Sequence, residues 1–219
     1  MVNAPPGIPP ANIAAEHDRI STAVHEAGHA VVATLTGIAV RYATLAPRDG
    51  VGVVVLRPRR GGFPALESIA ISCAGLIAED VAGTDERWGI AEASQDGDVT
   101  NIRAAARDWH AASDGVTVLD LIARSWELAF DLVLNHYGAV LAVAEHLLSS
   151  RRALTGPQIR GCISSAPTMR PESVPADAHA FWIPNYVSLR NWGPAARRRR
   201  KAAPAGDTSR PSDPTERGV

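Results

Sequence analysis

Cysteine is scarce in this 219-residue chain, with only Cys73 and Cys162. Two thiols cannot build the disulfide framework of a small secreted domain. Each sits in an apolar helical pattern, so both are expected reduced and buried, and the chain is expected to be cytoplasmic. No run of about 18 or more uninterrupted apolar residues occurs, so no membrane span is expected. Met1 to Pro10 lacks the basic start and apolar core of a secretory signal. An excess of one charge is also missing: 22 Lys and Arg against 23 Asp and Glu leave a net charge of −1. Global charge therefore implies no nucleic-acid or membrane-surface partner. The chain does have material for a core, since 46% of it is hydrophobic and 21% charged, which excludes wholesale disorder.

Proline is nearly absent from the middle of the chain. Of 16 prolines, four lie in residues 1–10 and eight in 166–219. Residues 1–10 are therefore expected to be a flexible arm and 11–165 the one folded domain. Residues 166–194 end the helical pattern but hold Phe181, Trp182, Ile183, Tyr186 and Trp192, too apolar for a pure linker. They are expected to be an extended segment that can dock on the domain. Residues 195–219 carry seven basic and three acidic side chains, a net of +4 that leaves −5 for the rest. Pro, Gly, Ser and charge without aromatics make this stretch a disordered basic tail. Its run Arg197 to Lys201 is the one feature that could attract RNA or an anionic surface.

Within the domain, periodicity predicts a helix over 13–36 that ends at Gly37. Two β-branched runs, 38–46 and 51–57, flank Pro47-Arg48-Asp49-Gly50 and predict a hairpin. Further helices are expected over 65–82, closed by Gly83, and over 98–111, 117–135, 138–149 and 156–164. Thr155 with Gln158 has the spacing of a capping box opening the last one. The expected fold is mainly α with a small β-hairpin or sheet.

The sharpest feature is His25-Glu26-Ala27-Gly28-His29 on the first helix. Residues four apart share a helix face, so both imidazoles can meet one zinc ion. Glu26 adjoins the first ligand and can serve as a general base toward a water held there. Gly28 inside a helix costs about 1 kcal/mol relative to Ala, which predicts close approach by another element, such as the one bringing a third ligand. A catalytic zinc site normally has three protein ligands. Asp98, at the expected start of a helix, is the candidate, with Asp96, Asp85, Glu86 and Glu92 as rivals that chemistry alone leaves open.

The chain resembles the peptidase domain of the FtsH-type ATP-dependent zinc metalloproteases. The resemblance runs in order through Val24-His25-Glu26-Ala27-Gly28-His29-Ala30-Val31-Val32, then Thr44-Leu45-Ala46-Pro47-Arg48 with Val51-Gly52-Val53. It continues through Ala74-Gly75-Leu76-Ile77-Ala78-Glu79 and Asp98-Val99 with Ala106-Arg107, and closes with Leu141-Ala142 to Leu148, Leu154-Thr155-Gly156 and Ile159. It implies zinc held by His25, His29 and Asp98, with Glu26 as the base, and its Ala-Arg spacing selects Asp98 over Asp96. Glu79 matches a family carboxylate and would orient a ligand imidazole, although a solvated helix charge reads equally well. Gly52 to Leu56 resembles the edge strand on which that family lays an extended substrate.

No Gly-x-x-x-x-Gly-Lys-Ser/Thr phosphate loop occurs in these residues, and Asp96-Gly97 and Leu76 depart from the family's Ser-Asn and Arg. The expected activity is zinc-dependent hydrolysis of extended or unfolded polypeptides, without an ATPase of its own. A separate ATPase or a homo-oligomer are the expected partners. The alternative is a non-catalytic, metal-containing peptidase fold that binds a partner.

Overall fold

The computed structural model describes residues 10–45, 52–83, 92–110 and 117–171. The expected arm up to residue 9, the hairpin turn at 47–50, the candidates Asp85 and Glu86, residues 172–194 and the basic tail lie outside the described residues. So do the side chains of Glu92 and Asp96.

Among the described residues, six helices and three short strands follow the order α1 (Pro10–Leu35), β1 (Val40–Leu45), β2 (Gly52–Leu56), α2 (Ala65–Ala82), α3 (Glu92–His110), α4 (Val118–Asn135), α5 (Tyr137–Ser149), β3 (Leu154–Thr155) and α6 (Gly156–Ser165). The fold is mainly α with a small antiparallel sheet, as expected. The first helix begins at Pro10 rather than at residue 13; proline suits a first helical position, where its missing N–H would have had no partner. It ends where Gly37 takes a left-handed φ of 79°. There the Ile38 N–H donates to Ala33 O at 2.8 Å and the Gly37 N–H to Thr34 O at 3.1 Å, the pattern of a Schellman cap.

Helix α1 is the centre of the packing. Ala23, Val24, Ala27, Ala30, Val31, Val32 and Ala33 are all buried, and small residues on several faces let α2, α5 and the sheet approach together. Helix α2 is buried continuously from Ile69 to Ala78, because α1, α3 and α4 all pack against it. Such an all-round apolar helix belongs inside a core. Helix α4 instead buries one stripe, Leu121, Ile122, Ser125, Trp126, Ala129, Phe130 and Val133. Thr117 and Asp120 cap its start reciprocally, and Thr155 and Gln158 do the same for α6, as their spacing predicts.

The sheet has the order β2-β1-β3. Strand β1 pairs with β2 from Val40↔Leu56 to Leu45↔Gly52, with a bulge between Val40 and Tyr42. Strand β3 was not expected. It is two residues long, pairing Tyr42↔Thr155 and Ala43↔Leu154, too short to leave a period in the sequence. Strand β2 lies at the sheet's edge, with no strand beyond it among the described residues.

Both cysteines are free and buried, and burial pushes the Cys73 thiol well up. No single described helix is long and apolar enough to cross a membrane. Helices α4 and α5 would pass that test only as a pair bent by 78°, and both turn their apolar residues into the core.

Candidate metal centre

The i, i+4 spacing on α1 brings His25 and His29 side by side, their rings edge to face with centroids 4.5 Å apart. Both are buried. Their Nε2 atoms lie 2.9 Å apart. Asp98 on α3 closes the triangle, its Oδ2 3.0 Å from His25 Nε2 and 3.2 Å from His29 Nε2. Among the described residues, this is the group of three ligand side chains that could hold a metal ion.

The other ring nitrogens explain what these atoms can do. His25 Nδ1–H donates to Glu79 Oε2 at 3.1 Å. His29 Nδ1–H donates to the Ile71 carbonyl at 2.5 Å. With a proton held on each Nδ1, both Nε2 lone pairs point at the Asp98 carboxylate. Three electron-rich atoms thus converge where they can be reconciled only by a proton or a cation. Their separations approach the edge, about 3.3 Å, of a tetrahedron with zinc–ligand bonds of about 2.0–2.1 Å. Two imidazoles and one carboxylate also form a donor set typical of catalytic zinc, leaving a fourth position free. The residues fit the metal.

Protonation in the metal-free site follows the same geometry. Burial pushes the His25 imidazole down, but hydrogen bonds and charge from Asp98 and Glu79 outweigh it and raise it to about 10. Burial pushes the Asp98 carboxyl up, yet hydrogen bonds from His25 and His29 hold it well below the usual carboxylate range. A proton shared between His25 and Asp98 therefore occupies the place a cation would take.

Glu26 adjoins His25 and is also buried. Burial raises its carboxyl above the ordinary value, against the pull of His29 and His25. Its side chain lies over Gly52, the first residue of β2; a Cβ on Gly52 would stand 2.6 Å from Glu26 Oε1 and 2.7 Å from its Cδ. The missing side chain at residue 52 is what lets the carboxylate lie against the sheet's edge strand.

Two expectations need correction. Asp98 does not open its helix: α3 starts at Glu92, which puts Asp98 in the second turn, beyond most of the dipole's reach. The polar run and Gly97 read as loop, yet the helix passes through them. Asp98 is held low by the two histidines rather than by a helix end. Gly28 does mark a close approach, but the element is α2 and not the bearer of the third ligand. A Cβ there would meet Ala74 O at 2.5 Å and the Ala78 Cβ at 2.7 Å.

That close packing aims Ile71, Gly75 and Glu79 of α2 at the site. Glu79 reaches His25, so the solvated alternative fails. Ser21 on α1 steadies it, its hydroxyl donating to Glu79 Oε1 at 2.8 Å. Gly75 faces both imidazoles: a Cβ would stand 2.6 Å from His25 Nε2 and from His29 Nε2. The sequence flagged neither Ser21 nor the reason for Gly75. The local signals, a serine four residues before a candidate ligand and a glycine inside an apolar helix, have many bland causes. Glu79→Ala is expected to weaken zinc binding by about 10–100-fold, as loss of an orienting carboxylate usually does. Ser21→Ala should weaken it less, because Glu79 remains. Chelator-competition titration checks both, and unchanged affinity in Glu79→Ala would remove the orienting role.

The family model described as Peptidase M50B-like matches residues 10–85. That stretch runs from α1 through β1 and β2 to α2 and contains His25, Glu26, His29, Gly75 and Glu79, but not Asp98. The match indicates a metallopeptidase-type function and is not specific to the FtsH type. No curated protein matches the chain at a significant level.

Proposed function

We propose that this chain is a zinc-dependent endopeptidase of the FtsH type, acting on extended or unfolded polypeptides. The observation that carries the reading is the convergence of His25 Nε2, His29 Nε2 and Asp98 Oδ2 beside the buried Glu26 carboxylate. Those three atoms would hold the metal, and Glu79 and the Ile71 carbonyl would fix the two rings. When bound, zinc supplies a Lewis acid that polarises a carbonyl and makes water more acidic. Glu26 takes the proton from the attacking water and passes it to the leaving amine, the part a carboxylate plays in general acid–base catalysis.

The edge position of β2 supports an extended substrate. A peptide can add to β2 as a further strand through main-chain hydrogen bonds, which tolerate varied sequences. Gly52 carries no side chain to hold that peptide away from Glu26. The narrower FtsH-type assignment draws on the ordered resemblance beyond residue 85, where Asp98-Val99 with Ala106-Arg107 lies on α3 and the closing motifs lie on α5 and α6.

The test is metal content together with cleavage of a permanently unfolded protein by the full chain. The expected result is one zinc per chain and fragments that stop appearing with a chelator and return with added zinc. Chelation should also lower the unfolding temperature, because a ligand bound only by the folded state at about 100 times its Kd adds about 2.7 kcal/mol. A zinc-loaded chain that cleaves no unfolded protein would sink the proposal.

A further inference from the structure

Four arginines gather where β2 ends and β1 begins. Arg57, Arg59 and Arg60 follow β2 directly, Arg41 sits in the β1 bulge, and all four are exposed. The Arg57 N–H donates to Ala39 O at 2.8 Å, which carries the pairing one step beyond Val40↔Leu56 and keeps Arg57 in line with the strand. The Gly62 N–H donates to Arg59 O at 3.0 Å, so Arg59 and Arg60 lie on the turn just past it. None of the four makes an ion pair among the described residues.

This cluster continues the edge proposed for substrate binding. Gly52 at one end of β2 touches Glu26, and Arg57 follows the other end. At about 3.3 Å per residue, Arg57 stands about 17 Å from Gly52 along the strand. Antiparallel pairing is the more stable choice for an added strand, and it sends the substrate's N-terminal side from Gly52 toward Arg57. Residues about four to seven positions before the scissile bond would then pass over the arginines. We infer that the Arg41–Arg57–Arg59–Arg60 cluster is a specificity site that selects substrates with an acidic stretch on the N-terminal side of the cleaved bond. The inference rests on the peptidase reading above. A polypeptide is favoured over other polyanions because the cluster lies in line with a free strand edge that ends at the candidate metal centre.

The test compares three peptides sharing one cleavable core: four Glu before the scissile bond, four Glu after it, or four Gln before it. The full chain should show about tenfold lower KM for the first than for the third at low salt, the sum of several exposed ion pairs, and the advantage should shrink at high salt. In Arg57→Gln/Arg59→Gln/Arg60→Gln that ratio should fall toward one. The charge-reversed Arg57→Glu/Arg59→Glu/Arg60→Glu chain should instead prefer a four-Lys peptide, a gain that damaged folding cannot imitate. The basic tail is present in every form and so cancels from the comparison.

Equal KM values in the wild type would overturn the inference, as would a preference for Glu after the bond only, or a Glu preference that survives charge reversal. If no peptide is cleaved, the peptidase reading fails on its own. Fluorescence anisotropy on Glu26→Gln then decides the acidic site by the same ratios. A mixed-sequence RNA that binds more tightly than the acidic peptide, and is released by the same substitutions, would overturn it in favour of a nucleic-acid surface.

Discussion

Glu26→Gln should lower peptide cleavage by about 10²–10⁴-fold in kcat, the usual contribution of a general base, while zinc stays bound. The substitution keeps the size and shape of the side chain, so the space over Gly52 remains filled. It removes only the group that can take a proton. Glu26 is not among the three atoms that converge for the metal, so metal content should match the wild type. Folding should survive, because burial already raises the Glu26 carboxyl toward its neutral form, and a neutral amide costs less to bury than a carboxylate. KM should change little, since substrate contacts would come from the β2 edge. Parallel assays of zinc content and initial rate on an unfolded protein check this. Comparable rates in the two proteins would remove Glu26 from the chemistry.

Features set by neighbours in the chain were legible in the sequence. The histidine pair could be read because spacing along one helix fixes which side chains meet. Helix α2 could be read to the residue, since its middle from Ile69 to Ala78 is a nearly unbroken apolar run and Gly83 stops it with a φ of 63°. The capping boxes at Thr117 and Thr155 are local for the same reason, although only the second was anticipated. What depends on distant partners was less visible. Glu79 stood between two readings because its partner His25 lies 54 residues away. The extension of α3 to Glu92 escaped because Gly97 and its polar neighbours favour loop locally, while the packing of α3 on α2 and α4 decides otherwise. Glycines were the hardest to interpret. Gly28, Gly52 and Gly75 all have ordinary helical or strand sequence contexts, and each is required by something that another element brings against it.

Gly75→Ala turns that last point into the strongest structural prediction. In isolation the change should help α2, since Ala is favoured over Gly in a helix interior by about 1 kcal/mol. In this fold the new Cβ would stand 2.6 Å from His25 Cε1, His25 Nε2 and His29 Nε2, far inside contact distance. Neither ring can retreat easily, because His25 is tied to Glu79 and His29 to the Ile71 carbonyl. Helix α2 cannot back away either without parting from α1 at Gly28, where the Ala74 carbonyl fills the space a side chain would need. The rings must therefore turn, and their Nε2 atoms leave the point they share with Asp98. Zinc affinity should fall by at least about 100-fold, more than loss of an orienting partner alone produces. Stability of the metal-free fold should change by no more than about 1–3 kcal/mol, the usual cost of overpacking, partly offset by the gain in helix propensity. Gly97→Ala is the control: a Cβ there meets nothing within 4 Å, so α3 should gain stability and zinc affinity should hold. Chelator competition and thermal unfolding of both variants, with and without zinc, separate the two effects. Zinc binding by Gly75→Ala at wild-type strength would mean that the two imidazoles do not meet the metal in this arrangement.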